Sequence, residues 1–240
     1  MSYLLGGILI ALAATLGGAA GFASSLVSAP FLLLLGFPLP FVVTLNLSMN
    51  MLTRVATAVR LRRSITRRSS WLVVGSIPGL ILGVLVLASV SSHAIKFATG
   101  VVVLVLTMVL ARTINGPPPK PLKGGPVAAG FAGGFLGATT SLNGMPAVLL
   151  LARDKVAPAS FLADLAFYFV ASNVVALGTL WLSHTISTRA LYPALLLWLP
   201  GSLAGNQIGV ALGTRLPERI FRWFIIVVAF VAGIMTVATA

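Results

Sequence analysis

At 240 residues the chain is 58% hydrophobic and only 8% charged, whereas a water-soluble domain carries roughly 25% charged residues. Its three acids, Asp154, Asp164 and Glu218, stand against 16 Lys and Arg, a net charge of +13. That inventory excludes a water-exposed globular surface, and the absence of cysteine excludes disulfides, thiolate metal sites and a cysteine nucleophile.

Apolar segments follow one another at 3–35, 41–59, 71–91, 94–111, 126–152, 159–183, 190–214 and 220–240. Most are near the ~20 residues of a membrane-spanning helix, so the fold class is an all-α polytopic membrane protein. The first segment opens Met-Ser-Tyr-Leu-Leu-Gly-Gly, without the basic start of a signal peptide, and is expected to belong to the mature protein. As one helix it would measure about 50 Å at ~1.5 Å per residue, against a hydrocarbon core of ~30 Å. Gly17, Gly18, Gly21 and Pro30 are places for it to break. The predicted break, 21–30, carries Ser24, Ser25 and Ser28.

The second segment holds the amides Asn46 and Asn50 and then Arg54. Six arginines lie from Arg54 to Arg68. In a membrane protein such clusters fix orientation by staying cytoplasmic, where anionic lipid headgroups meet them. We therefore read the positive charge as topological, with no nucleic-acid partner. Arg54 stands a turn or so above the cluster, placed either to attract an anion or to snorkel to the interface.

After the third and fourth segments, the Pro/Gly-rich stretch 115–126 divides the chain into an N-terminal repeat, 1–114, and a C-terminal repeat, 127–240. Gly17-Gly18, Gly21, Ser25-Leu26, Pro30 and Leu33-Leu34-Leu35 recur 116 residues later as Gly133-Gly134, Gly137, Ser141-Leu142, Pro146 and Leu149-Leu150-Leu151. At a spacing of 118, Pro40 and Asn46-Leu47 match Pro158 and Asp164-Leu165; at 122, Pro78-Gly79 and Gly83 match Pro200-Gly201 and Gly205. The unit is a duplicated set of four elements, each copy opening with a broken or re-entrant helix and continuing with three transmembrane helices.

The copies are expected to be inverted. In that arrangement 14 basic residues are cytoplasmic and two, Lys96 and Arg189, lie outside; parallel copies give 10 and 6. The positive-inside rule favours the first. Inverted repeats with broken helices place solute sites near the midplane and work by alternating access.

The second predicted break, 137–146, holds Thr139, Thr140, Ser141 and Asn143. Each break sets hydroxyls or amides beside a loosened turn before a half-helix, whose free N–H groups and positive dipole end suit an anion. The same residue types also let helices pack closely. Asp164 is the acid expected inside a membrane segment, as proton carrier or ion partner, or else paired with Arg153 or Lys155. Asn173, Asn206 and Gln207 are read as helix glue or ligands alike, and His93 and His184 as solvated loop residues. No metal-spaced cluster, paired carboxylates or P-loop occurs. The chain is therefore read as no enzyme, with no cofactor and no metal.

These residues carry a resemblance. The glycine-rich segments ending in Pro30 and Pro146, each followed by leucines and a polar second helix, together with Pro78-Gly79-x-x-x-Gly83 and Pro200-Gly201-x-x-x-Gly205, make the chain similar to the sulfite exporter TauE/SafE family, the toluene-sulfonate uptake permeases. Its most specific piece is Gly137-Ala-Thr-Thr-Ser-Leu-Asn-Gly-Met-Pro146. The chain departs from the family at Ala23, Ser24 and Ser25, where more glycine is usual. The resemblance implies a bacterial inner-membrane permease for sulfite, sulfonates, sulfoacetate or related anions, driven by a proton or ion gradient. The competing readings are a cation or metabolite exporter dependent on Asp164, and a non-transporting membrane subunit.

Overall fold

The computed structural model describes residues 2–24, 27–28, 32, 35–37, 39–87, 97, 100–101, 103–105, 107–108, 111–112, 116, 122–140, 143–182 and 188–238. Among them the regular elements are helical: α1 (Ser2–Ala20), α2 (Leu39–Arg60), α3 (Arg67–Leu87), α4 (Gly125–Thr140), α5 (Met145–Arg153), α6 (Pro158–Leu182), α7 (Thr188–Arg215) and α8 (Glu218–Ala238). A 3₁₀ turn at Arg62–Ser64 follows α2. Pro30, Ser25, Ser141, His93 and His184 lie outside the described residues, as do parts of 94–111 and of 115–126.

Several helices expose stripes of large apolar side chains that a soluble protein would bury. On α1 the exposed stripe is Leu4, Ile8, Leu12 and Leu16, with Leu4 74% exposed, while Ala13, Ala14, Ala20 and the adjoining glycines are buried. On α8, Ile220, Trp223, Val227, Val231 and Ile234 face outward in the same manner. Large apolar side chains outside and small ones inside are stable when the surroundings are hydrocarbon, since lipid supplies no hydrophobic drive and helices associate through close backbone packing. By length and apolarity, Pro158–Val175 and Leu191–Arg215 could cross a membrane.

The helices form two compact units, each drawing on chain from both sides of the 115–126 stretch. One comprises Met1–Ile65 and Leu162–Arg215; the other comprises Thr66–Phe161 and Leu216–Ala240. In the first unit α7 lies along α1. A Cβ added at Gly209 would come within 2.0 Å of the Thr15 carbonyl oxygen, and one at Gly205 within 2.4 Å of that of Ala11. Only hydrogen fits there. In the second unit α3 lies along α4 with glycines contributed by both: Gly79 against Phe131 and Gly134 against Ser76. Pro78 sits inside α3, and Pro193 and Pro200 inside α7. Each removes one helical hydrogen bond, a loss that tightly packed membrane helices tolerate.

The first unit holds an apolar cluster that the Trp198 ring plugs. Trp198 of α7, 2% exposed, packs with Ile10, Leu32, Phe41, Leu45 and Leu191. Phe37 meets the Trp198 ring edge-on at 5.7 Å and stacks on Phe41 at 5.3 Å.

Substituting Gly209→Ala should lower the thermal unfolding temperature, because the clash is with backbone and α7 must move off α1. Gly178→Ala, where nothing lies within 4 Å, should leave stability unchanged or raise it slightly, since alanine favours helix by about 1 kcal/mol. Equal melting shifts for the two variants would contradict the close-packing account.

Candidate functional site

Helix α1 stops at Ala20. Gly21 then takes φ +88°, a left-handed conformation that side chains with a Cβ rarely adopt, and its N–H still reaches the Gly17 carbonyl at 2.7 Å. Helical geometry resumes at Ser24, and Val27 N donates to Ala23 O at 3.2 Å. The chain therefore turns back tightly on α1: a Cβ at Gly17 would fall 2.5 Å from that of Ser24.

The returning segment runs beside α2 and meets it in two rungs. Ser24 Oγ donates to Asn50 Oδ1 at 2.9 Å, and Ser28 Oγ donates to Asn46 Oδ1 at 2.7 Å. Four residues separate the serines and four separate the asparagines, one helical turn on each strand of an antiparallel pair. Each serine directs its single O–H at an amide oxygen. The hydrogens left for a solute are then those of the two asparagine Nδ2 groups, with serine oxygens as acceptors.

These four residues line a cavity within the first unit. Ile10, Ala13 and Ala14 of α1, Met49 and Thr53 of α2, and Ser202 of α7 complete it. The space open to the centre of a water molecule is about 20 Å³, room for about one water. The lining mixes these polar groups with apolar ones, of which Ile10 and Met49 also belong to the Trp198 cluster.

Below the cavity α2 carries Arg54, one turn past Asn50. It is 1% exposed, so the alternative of snorkelling to the interface is not what the side chain does. Its Nη2 donates to the Gly17 carbonyl at 3.0 Å, and its guanidinium lies over the Phe169 ring of α6 at 5.7 Å. Further along α2, Asn206 of α7 donates through Nδ2 to Thr53 O at 3.2 Å and Thr57 Oγ1 at 2.8 Å. Asn206 is thus helix glue. Gln207 plays a similar part, receiving Arg60 Nη1 at Oε1 at 2.7 Å.

Asp164, on α6, is 0% exposed. Of the two bases considered as its partner, Arg153 bonds through Nη1 to Asp154 at 3.1 Å, the residue next to it in the turn after α5, and Lys155 donates to the Gly116 carbonyl. Glu218 pairs with Arg222 at 2.7 Å, one helical turn away.

The second predicted break lies in the other unit and has a different form. Gly137 does not end its helix; α4 continues through it to Thr140. An internal glycine costs a helix only about 1 kcal/mol, and here it clears room, since a Cβ would sit 2.8 Å from that of Asn143. Thr139 and Thr140 close α4, their side chains lying outside the described set. Asn143 and Gly144 form a turn, and Pro146 occupies the first turn of α5, whose start has no side-chain cap. Of the sequence-predicted residues, then, Ser24, Ser28, Asn46 and Asn50 share one cavity, Arg54 lies a turn beyond it, and Asn143 is elsewhere. Thr53 and Ser202 were not anticipated as lining residues. The spacing Asn46, Asn50, Thr53 and Thr57 on one helix face was the available signal for the first.

The sulfite exporter TauE/SafE family matches the chain over residues 6–236. The chain belongs to this family. It is accordingly a membrane transport protein and not an enzyme, which agrees with helices that turn their large apolar side chains outward. No curated relative and no solved structure matches it.

A double-mutant cycle of Ser28→Ala and Asn46→Ala should give a coupling energy of about 0.5–1.5 kcal/mol in thermal or denaturant unfolding. Additive effects would mean that the rung contributes nothing.

Proposed function

We propose that the protein is a secondary permease for small sulfur-containing or organic anions such as sulfite, sulfonates or sulfoacetate, with its solute site at the Ser24–Asn50 and Ser28–Asn46 rungs. The observation that carries this reading is the cavity itself. A broken helix, a polar second helix and α7 enclose neutral donors and acceptors beside an apolar plug. Neutral hydrogen-bonding groups hold an oxyanion without fixing it permanently, as a carrier requires. Irregular backbone at membrane depth is tolerated where it lines such a space.

The cavity takes about one water, so an anion enters only when α7 of the second repeat draws away from α1 and α2 of the first. That requirement favours alternating access over an open pore, with one repeat moving against the other across a bacterial inner membrane. Inversion of the repeats and the multi-pass topology belong to this same reading. Asp164, fully buried on α6 of the unit that holds the cavity, is the residue we assign to proton coupling, since an ionisable group at such a place is expensive and functional by default.

The test is flux of isotopically traced sulfite or methanesulfonate into proteoliposomes containing the purified protein. Asn46→Leu combined with Asn50→Leu removes both amides and fills the cavity, and should reduce flux at least tenfold in protein that still elutes and melts as a folded species. Undiminished flux would remove the proposed site. Asp164→Asn should abolish accumulation driven by a pH gradient while leaving anion exchange. Transport that ignores anions but requires Asp164 would instead identify a cation or metabolite exporter.

A further inference from the structure

Arg54 is a charged group with no charged partner among the described residues. Among the described residues the ion pairs are Arg153–Asp154 and Arg222–Glu218. Neither involves Arg54, although it is 1% exposed. Of its three guanidinium nitrogens only Nη2 has an acceptor; Nε and Nη1, which carry three of the five N–H bonds, have none. A buried ion normally survives because a countercharge and a full set of hydrogen bonds offset its desolvation. Here the protein offers one carbonyl and one aromatic face.

The one hydrogen bond it makes is also dispensable to its acceptor. The Gly17 carbonyl already receives the Gly21 N–H at 2.7 Å, so losing Arg54 would leave that oxygen paired. A structural explanation for the guanidinium is therefore weak. Its position is the telling feature. Gly17 lies one turn along α1 from Ala13 and Ala14, and Arg54 one turn along α2 from Asn50, all of them cavity-lining except Gly17 and Arg54 themselves. One turn along α6 from Phe169, whose ring holds the guanidinium, Asn173 is 3% exposed, and its Nδ2 also lacks an acceptor.

We propose that Arg54, braced by Gly17 and Phe169, is the fixed positive charge that receives the transported oxyanion after it passes the serine–asparagine rungs, with Asn173 as an additional donor. This inference rests on the permease reading and adds to it the source of charge selectivity. Arginine remains protonated at any physiological pH, so selection for an anion holds whatever Asp164 does. The cation–π contact keeps the group in place without neutralising it, which leaves its charge available. The site suits a compact oxyanion of one or two charges, such as sulfite or an alkylsulfonate, and rejects a neutral solute of equal size.

The test measures binding of sulfite and methanesulfonate to the purified full-length protein by calorimetry and thermal shift, with dimethyl sulfone as the uncharged control. Wild type should bind the anions and not the sulfone. Arg54→Met keeps the length and apolar contacts. It should match or exceed wild type in melting temperature without anion, because an uncompensated buried charge has gone, and should lose anion affinity at least tenfold. Arg54→Lys should retain weakened binding. Asn173→Ala, which removes an Nδ2 that has no acceptor, should weaken binding several-fold with no loss of melting temperature. Anion affinity that survives intact in Arg54→Met overturns the proposal while leaving the permease reading in place. If Arg54→Met fails to fold, unaltered affinity in both Arg54→Lys and Asn173→Ala overturns it equally. A wild type that binds neither anion overturns both readings together.

Discussion

A polar group inside a protein surrounded by hydrocarbon has only the protein to bond with, and most of what is distinctive in this chain follows from that restriction. The asparagines of α2 accept from the serines of the returning segment. Thr53 Oγ1 returns to the Met49 and Asn50 carbonyls of its own helix, and Asn206 spans from α7 to α2. Each bond is individually modest, about 1 kcal/mol net, but an unmade one costs more than a made one contributes. Among the described residues, buried nitrogens of Arg54, Asn173 and Arg222 are the exceptions that lack an acceptor.

The same restriction explains the packing. Without a hydrophobic drive between helices, α1 with α7 and α3 with α4 associate by bringing backbones together across glycine.

The family, the helical class and the location of the polar second helix were legible in the chain, because each depends on composition or on local order. A shortage of acids, apolar runs near the length of a bilayer, and glycine followed by proline say where water is absent and where a helix weakens. The break after Ala20 was legible for the same reason, since Gly21 is the residue best able to adopt φ +88°. The second break was not placed to the residue: Gly137 lies within α4, because glycine permits a turn without demanding one, and packing decides which happens.

Sequence alone determined that this protein lives in lipid, that its segments are helices, and that serines and asparagines fall where those helices are interrupted. Only the tertiary structure decided which of these residues meet. It set Ser24 opposite Asn50 and Ser28 opposite Asn46, turned Arg54 inward onto Gly17 and Phe169 rather than out toward the interface, and gave Arg153 to Asp154. The reason is that hydrogen bonds and ion pairs act over a few ångströms between residues tens of positions apart in the chain. No local pattern encodes that separation, and it exists only once the backbones have closed on one another.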